Sequence, residues 1–239
     1  MISMISDIGN KRSLNEDYAG YLEKENYKIY VVADGMGGHN AGEVASKMAV
    51  EAIVSYISEN INNKNYNEIL KKAIKTANNA IYDFASTSEK LNGMGTTVTA
   101  CLVINNKGFV ANVGDSSCFL IRNNKIKKIT KDNSLVQELL DLGTISEEEA
   151  FNHPKKNIIT RAVGTSKKIL IDVFEIDILK DDIIMLCSDG LTNEIQKNEV
   201  LEILNSAKSL KNACEKLVLE AKNNGGRDNI TVLLFGGDE

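Results

Sequence analysis

Four short apolar runs in this chain stop at an aspartate or start beside one. IYVVAD ends at Asp34, GFVANVGD at Asp115 and DIIMLCSD at Asp189, and Asp228 stands just before ITVLLF. A fifth acid, Asp17, opens the run DYAGYLE. Runs of this length, rich in Val, Ile and aromatic residues and bounded by Gly, Asp and Asn, read as β-strands. Strands of one sheet would carry the five acids to one rim. Like charges about 5 Å apart repel by roughly 3 kcal/mol per pair at an effective dielectric near 20. A fold that gathers these carboxylates therefore implies cations between them, and hard oxygen-only ligands favour Mg²⁺ or Mn²⁺ over zinc.

With 239 residues the chain can bury a sizeable core, and the expectation is one domain over residues 1–239. A net charge of −5 gives no electrostatic footprint for nucleic acid, whose binders carry a clustered basic face. Lys125, Lys127 and Lys128 alternate with Ile126 and Ile129 as a solvated strand face would. No stretch reaches the ~18 apolar residues of a membrane span, and the first residues carry no leader pattern, so a cytoplasmic protein is expected. Cys101, Cys118, Cys187 and Cys214 form no CxxC pair and read as buried reduced thiols. Cys187 is followed by SDGLTNE, which lacks the arginine-bearing phosphate loop of a cysteine phosphatase.

Two amphipathic helices follow the first strand runs. Val44, Ala45, Met48, Ala49, Ala52, Ile53, Tyr56 and Ile57 form one stripe; Ile69, Leu70, Ala73, Ile74, Ala77, Ile81 and Phe84 form another. Asn40 with Glu43 resembles a capping box. Residues 95–130 alternate as antiparallel strands, with hairpin turns at Asn105-Asn106-Lys107-Gly108 and Asn123-Asn124. From Ser134 the pattern turns irregular: a short helix in SLVQELLDLG, then an acidic turn in SEEEAF, and at Pro154 the only proline. Such a long irregular segment reads as a surface flap. Strands near 169–178 and 182–188, helices near 197–206 and 209–223, and a strand over 230–235 complete the order. Strands joined by hairpins, with helices grouped in pairs, argue for α+β layers.

The glycine-dense turn Asp34-Gly35-Met36-Gly37-Gly38-His39 lets backbone approach a ligand closely. Alone it is a weak signal. It stands, however, in a fixed order with Asn15-Glu16-Asp17, Gly95-Thr96-Thr97, Asn112-Val113-Gly114-Asp115, Ser188-Asp189-Gly190 and Arg227-Asp228-Asn229. On these motifs the chain resembles the bacterial branch of the metal-dependent protein phosphatase family (type 2C) over essentially its whole length.

The resemblance implies a four-layer α-β-β-α sandwich of two antiparallel sheets flanked by helix pairs, hydrolysing phosphoserine and phosphothreonine in proteins. It implies two Mn²⁺ or Mg²⁺ ions: Asp34 would bridge them, Gly35 would bind one through its carbonyl, and Asp189 and Asp228 would complete the first. Glu16 and Asp17 would orient bound waters, and a third ion would sit at Asp115 and Asp189 near a flap over 132–164. Arg12, in Gly9-Asn10-Lys11-Arg12, matches the arginine that grips the substrate phosphate, a task its planar fork suits. His39 matches the general acid. His153, before the proline, is expected to be a flap residue without a proton to transfer. The family also implies a monomer and, among its phosphoprotein partners, a Ser/Thr kinase of the eukaryotic-like bacterial type.

The chain departs from the family at two positions. Ser117 stands where many bacterial members have arginine after Gly-Asp-Ser, and Asn133 where they have histidine in Asp-His-Ser. Both flank the third-ion region and the flap. Two other readings stay open on the residues alone: another two-metal phosphoester hydrolase, such as a nuclease, and a phosphoprotein-binding module without turnover.

Overall fold

The computed structural model describes residues 1–37, 41–62 and 65–236. His39 and the Asn40 of the expected capping box lie outside them. Tyr30 and Val32 point to one side of their strand and Ile29, Val31 and Ala33 to the other, yet all five are buried. A strand covered on both faces belongs in the middle of a layered structure.

In chain order the strands are β1 (Ile2–Asp7), β2 (Asp17–Glu23), β3 (Lys28–Met36), β4 (Gly95–Thr96), β5 (Val98–Ile104), β6 (Lys107–Val113), β7 (Ser117–Arg122), β8 (Lys125–Lys128), β9 (Asp172–Asp177), β10 (Ile183–Cys187) and β11 (Ile230–Gly236). The helices are α1 (Ala41–Asn60), α2 (Tyr66–Ala85), α3 (Leu135–Asp141), α4 (Glu147–Phe151), α5 (Asp189–Thr192), α6 (Lys197–Ser206) and α7 (Leu210–Asn223). One antiparallel sheet runs β2-β3-β5-β6-β9, with β4 attached to β3; the other runs β1-β11-β10-β7-β8.

Three apolar layers hold the sheets and helices together. Between the sheets, Tyr30, Val32, Cys101 and Val110 meet Cys118, Ile184, Leu186 and Leu233. Tyr30 also stacks on Phe235 with ring centroids 3.8 Å apart. The outer face of the first sheet packs on α1 and α2 through Ile53, Ile57, Leu70 and Ile74. The outer face of the second packs on α6 and α7 through Val200, Leu217 and Val218. The result is the α-β-β-α sandwich expected, and truncating one such buried aliphatic side chain to alanine costs about 2–5 kcal/mol. All four cysteines are buried and free. Among the described residues no helix is long and apolar enough to cross a membrane.

Several local expectations change. On α1 the buried row is Ala41, Ala45, Ala49, Ile53 and Ile57, each four residues from the next. Val44 begins a neighbouring row at the edge of that stripe and is 37% exposed. Phe84, in the last turn of α2, is 42% exposed. The hairpin turns are only two residues long: Asn105-Asn106 and Asn123-Asn124 all have positive φ, between 48° and 61°. That is the type I′ geometry whose twist matches the strands, and asparagine tolerates it. The acidic turn is a helix, α4, because Ser146 and Glu149 close a full capping box at its start. Lys128 is not a solvated strand residue but is held by both oxygens of Asp132 at 2.6 and 2.7 Å.

Candidate metal centre

Register brings the acids together. β2 and β3 pair so that Asp17 lies directly opposite Asp34. Like charges directly opposite on one sheet face destabilise a strand pair. In the second sheet, Asp189 follows the end of β10 and Asp228 precedes the start of its neighbour β11. Asp115 occupies the crossing from β6 in one sheet to β7 in the other. All five aspartates therefore meet at one rim, contributed by both sheets.

The backbone around Asp34 is clamped from the β4 side. Its N–H donates to Thr97 Oγ1 at 2.9 Å, and its carbonyl accepts from Thr96 Oγ1 at 2.9 Å and from the Thr97 N–H at 2.8 Å. The Thr97 hydroxyl is in turn bonded to Ser116 Oγ, next to Asp115, at 2.8 Å. Gly35 lies where a Cβ would collide with the carbonyls of Gly42 and Glu16. Only glycine lets β3, the start of α1 and the Glu16 loop approach this closely.

Asp17 Oδ2 accepts from Ser188 Oγ at 2.7 Å, and Asp189 Oδ2 from Asn193 Nδ2 at 2.9 Å. The other oxygens, Asp17 Oδ1 and Asp189 Oδ1, are buried and accept from no protein group. Burial pushes the Asp17 carboxyl up to about 7 and that of Asp189 to about 6, with neighbouring aspartates adding to each rise. Burial, then Asp17, Asp189 and the rest of the cluster, raise Asp34 well above the carboxylate range. Asp115 is raised well above that range by burial and then Asp189. Glu16 is raised by burial, against the pull of Arg12.

Arg12 and Lys128 offset only part of this negative charge, and two buried oxygens are left without a partner. Among the described residues no three acidic side chains already close into a cage. An open arrangement of carboxylates is nonetheless what Mg²⁺ or Mn²⁺ requires, because such ions keep several waters and take few protein ligands. The donor set and the orphaned oxygens fit a hard divalent cation.

Arg12 reaches the cluster from the loop before β2: its Nη2 donates to Asp228 Oδ2 at 2.8 Å while the side chain stays 48% exposed. That loop is fixed by Asn229, a residue the sequence motifs contain without a role. Its Oδ1 accepts from the Glu16 N–H at 2.8 Å, and its Nδ2 donates to the carbonyls of Ile8 and Leu14, each at 2.9 Å. Ser188 likewise has no role in the motifs, though it joins Asp17 to the Thr231 N–H. A small polar residue beside each acid is the only sequence sign of either. His153 accepts the Lys155 N–H at 3.1 Å through Nδ1, just after α4.

The family model described as protein phosphatase 2C matches residues 9–223. The chain belongs to the protein phosphatase 2C family. This phosphatase 2C chain is 44% identical over 233 residues to the serine/threonine phosphatase stp of Listeria welshimeri, covering 96% of its own length and 92% of the relative. It superposes on the serine/threonine phosphatase Stp1 of Staphylococcus aureus with a TM-score of 0.93 at 35% identity, covering 100% of this chain and 95% of that one. A structure of the PstP catalytic domain in complex with two manganese ions matches with a TM-score of 0.87 at 32% identity, over 98% and 96% of the two chains.

Asn133, one of the two departures noted above, ties the segment after β8 of this phosphatase 2C chain to the β6–β7 crossing. Its N–H donates to the Gly114 carbonyl at 2.8 Å, its Oδ1 accepts from the Gly114 N–H at 3.0 Å, and its Nδ2 donates to Asp172 at 2.9 Å. Its carbonyl accepts from the Thr160 N–H at 2.8 Å, which brings the two ends of that segment together. Ser117, the other departure, is buried in β7, and its hydroxyl reaches the Asp115 carbonyl at 3.4 Å.

Proposed function

We infer that the chain is a metal-dependent protein serine/threonine phosphatase that hydrolyses phosphoserine and phosphothreonine by direct attack of water on phosphorus. The carrying observation is the convergence of five carboxylates from both sheets, two of them with buried oxygens that no protein group satisfies. Cations held there would supply positive charge against the phosphoryl oxygens and acidify the attacking water.

The residues that would hold two Mn²⁺ or Mg²⁺ ions are Asp34, the Gly35 carbonyl, Asp189 and Asp228, with Glu16 and Asp17 positioning waters. Asp115 with Asp189 would take a third. Asp17 is held for its part by Ser188, and Asp34 by Thr96 and Thr97. Arg12 binds the phosphate: tethered to Asp228 and half exposed, its guanidinium stands at the open side of the cluster, where two oxygens of a phosphate can be gripped together. His39 gives a proton to the departing seryl or threonyl oxygen; it lies outside the described residues.

On this reading residues 1–239 form one catalytic domain with a flap over 132–164. The protein is a cytoplasmic monomer whose substrates include a Ser/Thr kinase of the eukaryotic-like bacterial type. The kinase, the monomeric state and the cytoplasmic location rest on the family resemblance and composition alone.

The test is phosphate release from a phosphothreonine peptide with Mn²⁺, with EDTA, and with Asp189→Asn as background. Turnover present only with Mn²⁺ and the native residue supports the reading. Binding of Mn²⁺ without release would replace it with a phosphoprotein-binding role, and faster cleavage of DNA than of the peptide would make the chain a nuclease.

A further inference from the structure

Asp228 stands at the end of a turn, Gly225-Gly226-Arg227, that links α7 to β11. Two glycines bring no side chains with which to pin such a turn, so its position depends on what its backbone is tied to. Beyond Asp228, Asn229 provides one tie, to the loop carrying Arg12. Before Asp228 the tie is Glu194, a residue outside the motifs read from the sequence.

Glu194 Oε1 accepts from the Arg227 N–H at 3.0 Å and from Arg227 Nε at 2.9 Å, and Oε2 accepts from Nη2 at 2.8 Å. The Glu194 carbonyl accepts from Asn224 Nδ2 at 3.0 Å, at the other end of the turn. Its side chain is 1% exposed, whereas that of Arg227 is 66% exposed. A buried carboxylate is tolerated when its oxygens are fully partnered, and a guanidinium fork with a main-chain donor does that here. The hydrogen bonds from Arg227 hold the carboxyl below its usual range, with the charges of Arg227 and Lys156 adding to the pull.

Both ends of this clip lead to the carboxylate rim. Glu194 follows Asp189 through the single turn of α5, where the Asn193 N–H donates to the Asp189 carbonyl at 2.8 Å and the Glu194 N–H to that of Leu191 at 3.1 Å. On the other side Arg227 adjoins Asp228. The Gly226 carbonyl also accepts from the Asn10 N–H at 2.7 Å, and the Gly225 carbonyl from Asn10 Nδ2 at 3.1 Å, close to Arg12 in the chain. One buried carboxylate therefore fixes the segment of Asp189, the turn of Asp228 and the loop of Arg12 relative to one another.

On the phosphatase reading above, we propose that Glu194 is a positioning residue: by binding the main chain and guanidinium of Arg227 it sets Asp228 against Asp189 for the cation they would share and steadies the Arg12 loop for phosphate. It acts through these neighbours rather than on the substrate.

The experiment compares the full chain with Glu194→Gln and with Glu194→Ala/Arg227→Ala. Mn²⁺ affinity is read by water-proton relaxation, which needs no turnover, and KM and kcat are then measured on a phosphothreonine peptide. The double substitution leaves neither charge unpaired, so a role confined to burying an ion pair predicts an unchanged Mn²⁺ Kd. Expected instead is a Kd raised about tenfold, the scale of loss when an outer partner of a metal ligand is removed. KM should rise with it, while kcat at saturating Mn²⁺ and peptide changes little. Glu194→Gln keeps an acceptor for the Arg227 N–H and should fall between wild type and the double variant. Leu70→Ala, a truncation in the helix layer on the first sheet, should lower Tm without moving Kd. A Kd unmoved in both Glu194 variants overturns the proposal, and so does an equal shift in Leu70→Ala. A wild type that binds Mn²⁺ but releases no phosphate overturns the phosphatase reading instead, and the affinities still decide whether Glu194 positions the carboxylates.

Discussion

Replacing Asp189 with asparagine should stabilise the cation-free protein while abolishing its activity. The carboxyl of Asp189 is pushed from the ordinary 3.8 to about 6 by burial and then Asp228. A rise of that size corresponds to about 3 kcal/mol, at roughly 1.4 kcal/mol for each tenfold change in proton affinity, and a buried unsatisfied oxygen costs about 1–3 kcal/mol by itself. Both routes give a penalty of a few kcal/mol once the group ionises. Because the folded-state pKa is the higher one, the folded protein binds the proton more tightly than the unfolded chain. Stability is therefore full below about pH 4 and is lost as pH rises through about 6, with Asp17, pushed up to about 7, extending the loss. Asparagine carries no charge to desolvate, and its carbonyl can still accept from Asn193. For a chain of this size, about 3 kcal/mol corresponds to roughly 6–12 °C in Tm. The assay is thermal melting in EDTA at pH 5 and pH 8, repeated with saturating Mn²⁺. The variant should melt above the wild type at pH 8 in EDTA and lose that advantage in Mn²⁺, which stabilises the protein that binds it better. A wild type as stable as the variant at pH 8 without metal would refute the electrostatic account of the cluster.

Asp34→Asn and Asp228→Asn should each remove turnover with circular dichroism unchanged; near-normal phosphate release by either would contradict the ligand assignment. Arg12→Ala should weaken use of phosphopeptide, seen mainly as a raised KM, by about tenfold or more, since charge-assisted hydrogen bonds contribute about 1.5–3 kcal/mol; an unchanged KM would remove Arg12 from the phosphate site. Ser188→Ala should lower stability by about 1–3 kcal/mol in urea titration by leaving Asp17 Oδ2 and the Thr231 N–H unsatisfied, and no change would show that water replaces the hydroxyl. Asn133→Ala should loosen the segment after β8 and speed hydrogen exchange at Gly114 and Thr160 without comparable change in β3; unaltered exchange would mean that Asn133 is not its anchor.

The rim of acids is legible in the sequence because each of them lies in a strand or within two residues of one, at the edge of an apolar run. The layers are legible from periodicity. What the sequence hides is mostly partnership. Nothing local to Asn229 shows that it ties three backbone groups of the loop carrying Arg12, and nothing local to Lys128 shows that Asp132 will hold it off the solvent. The strand read through TTVTACLVI is broken at Thr97, whose N–H donates to the Asp34 carbonyl while its hydroxyl bonds the Asp34 N–H and Ser116. Helix α4 is hidden because three consecutive glutamates suggest a loop, whereas at a capped N-terminus they complement the helix dipole.

The strand order of the second sheet has a kinetic meaning. Among the described residues the edge strand β1 pairs only with β11, which lies between it and β10. Residues 2–7 thus wait for residues 230–236 before they have a partner, and the loop holding Arg12 is fastened only when Asn229 arrives. Contacts so distant in sequence slow folding, and here they also gate chemistry: a chain emerging during synthesis can build α1, α2 and much of the first sheet while remaining catalytically silent. In refolding, phosphate release should lag helix formation, and simultaneous recovery of the two signals would show that the site assembles by another route.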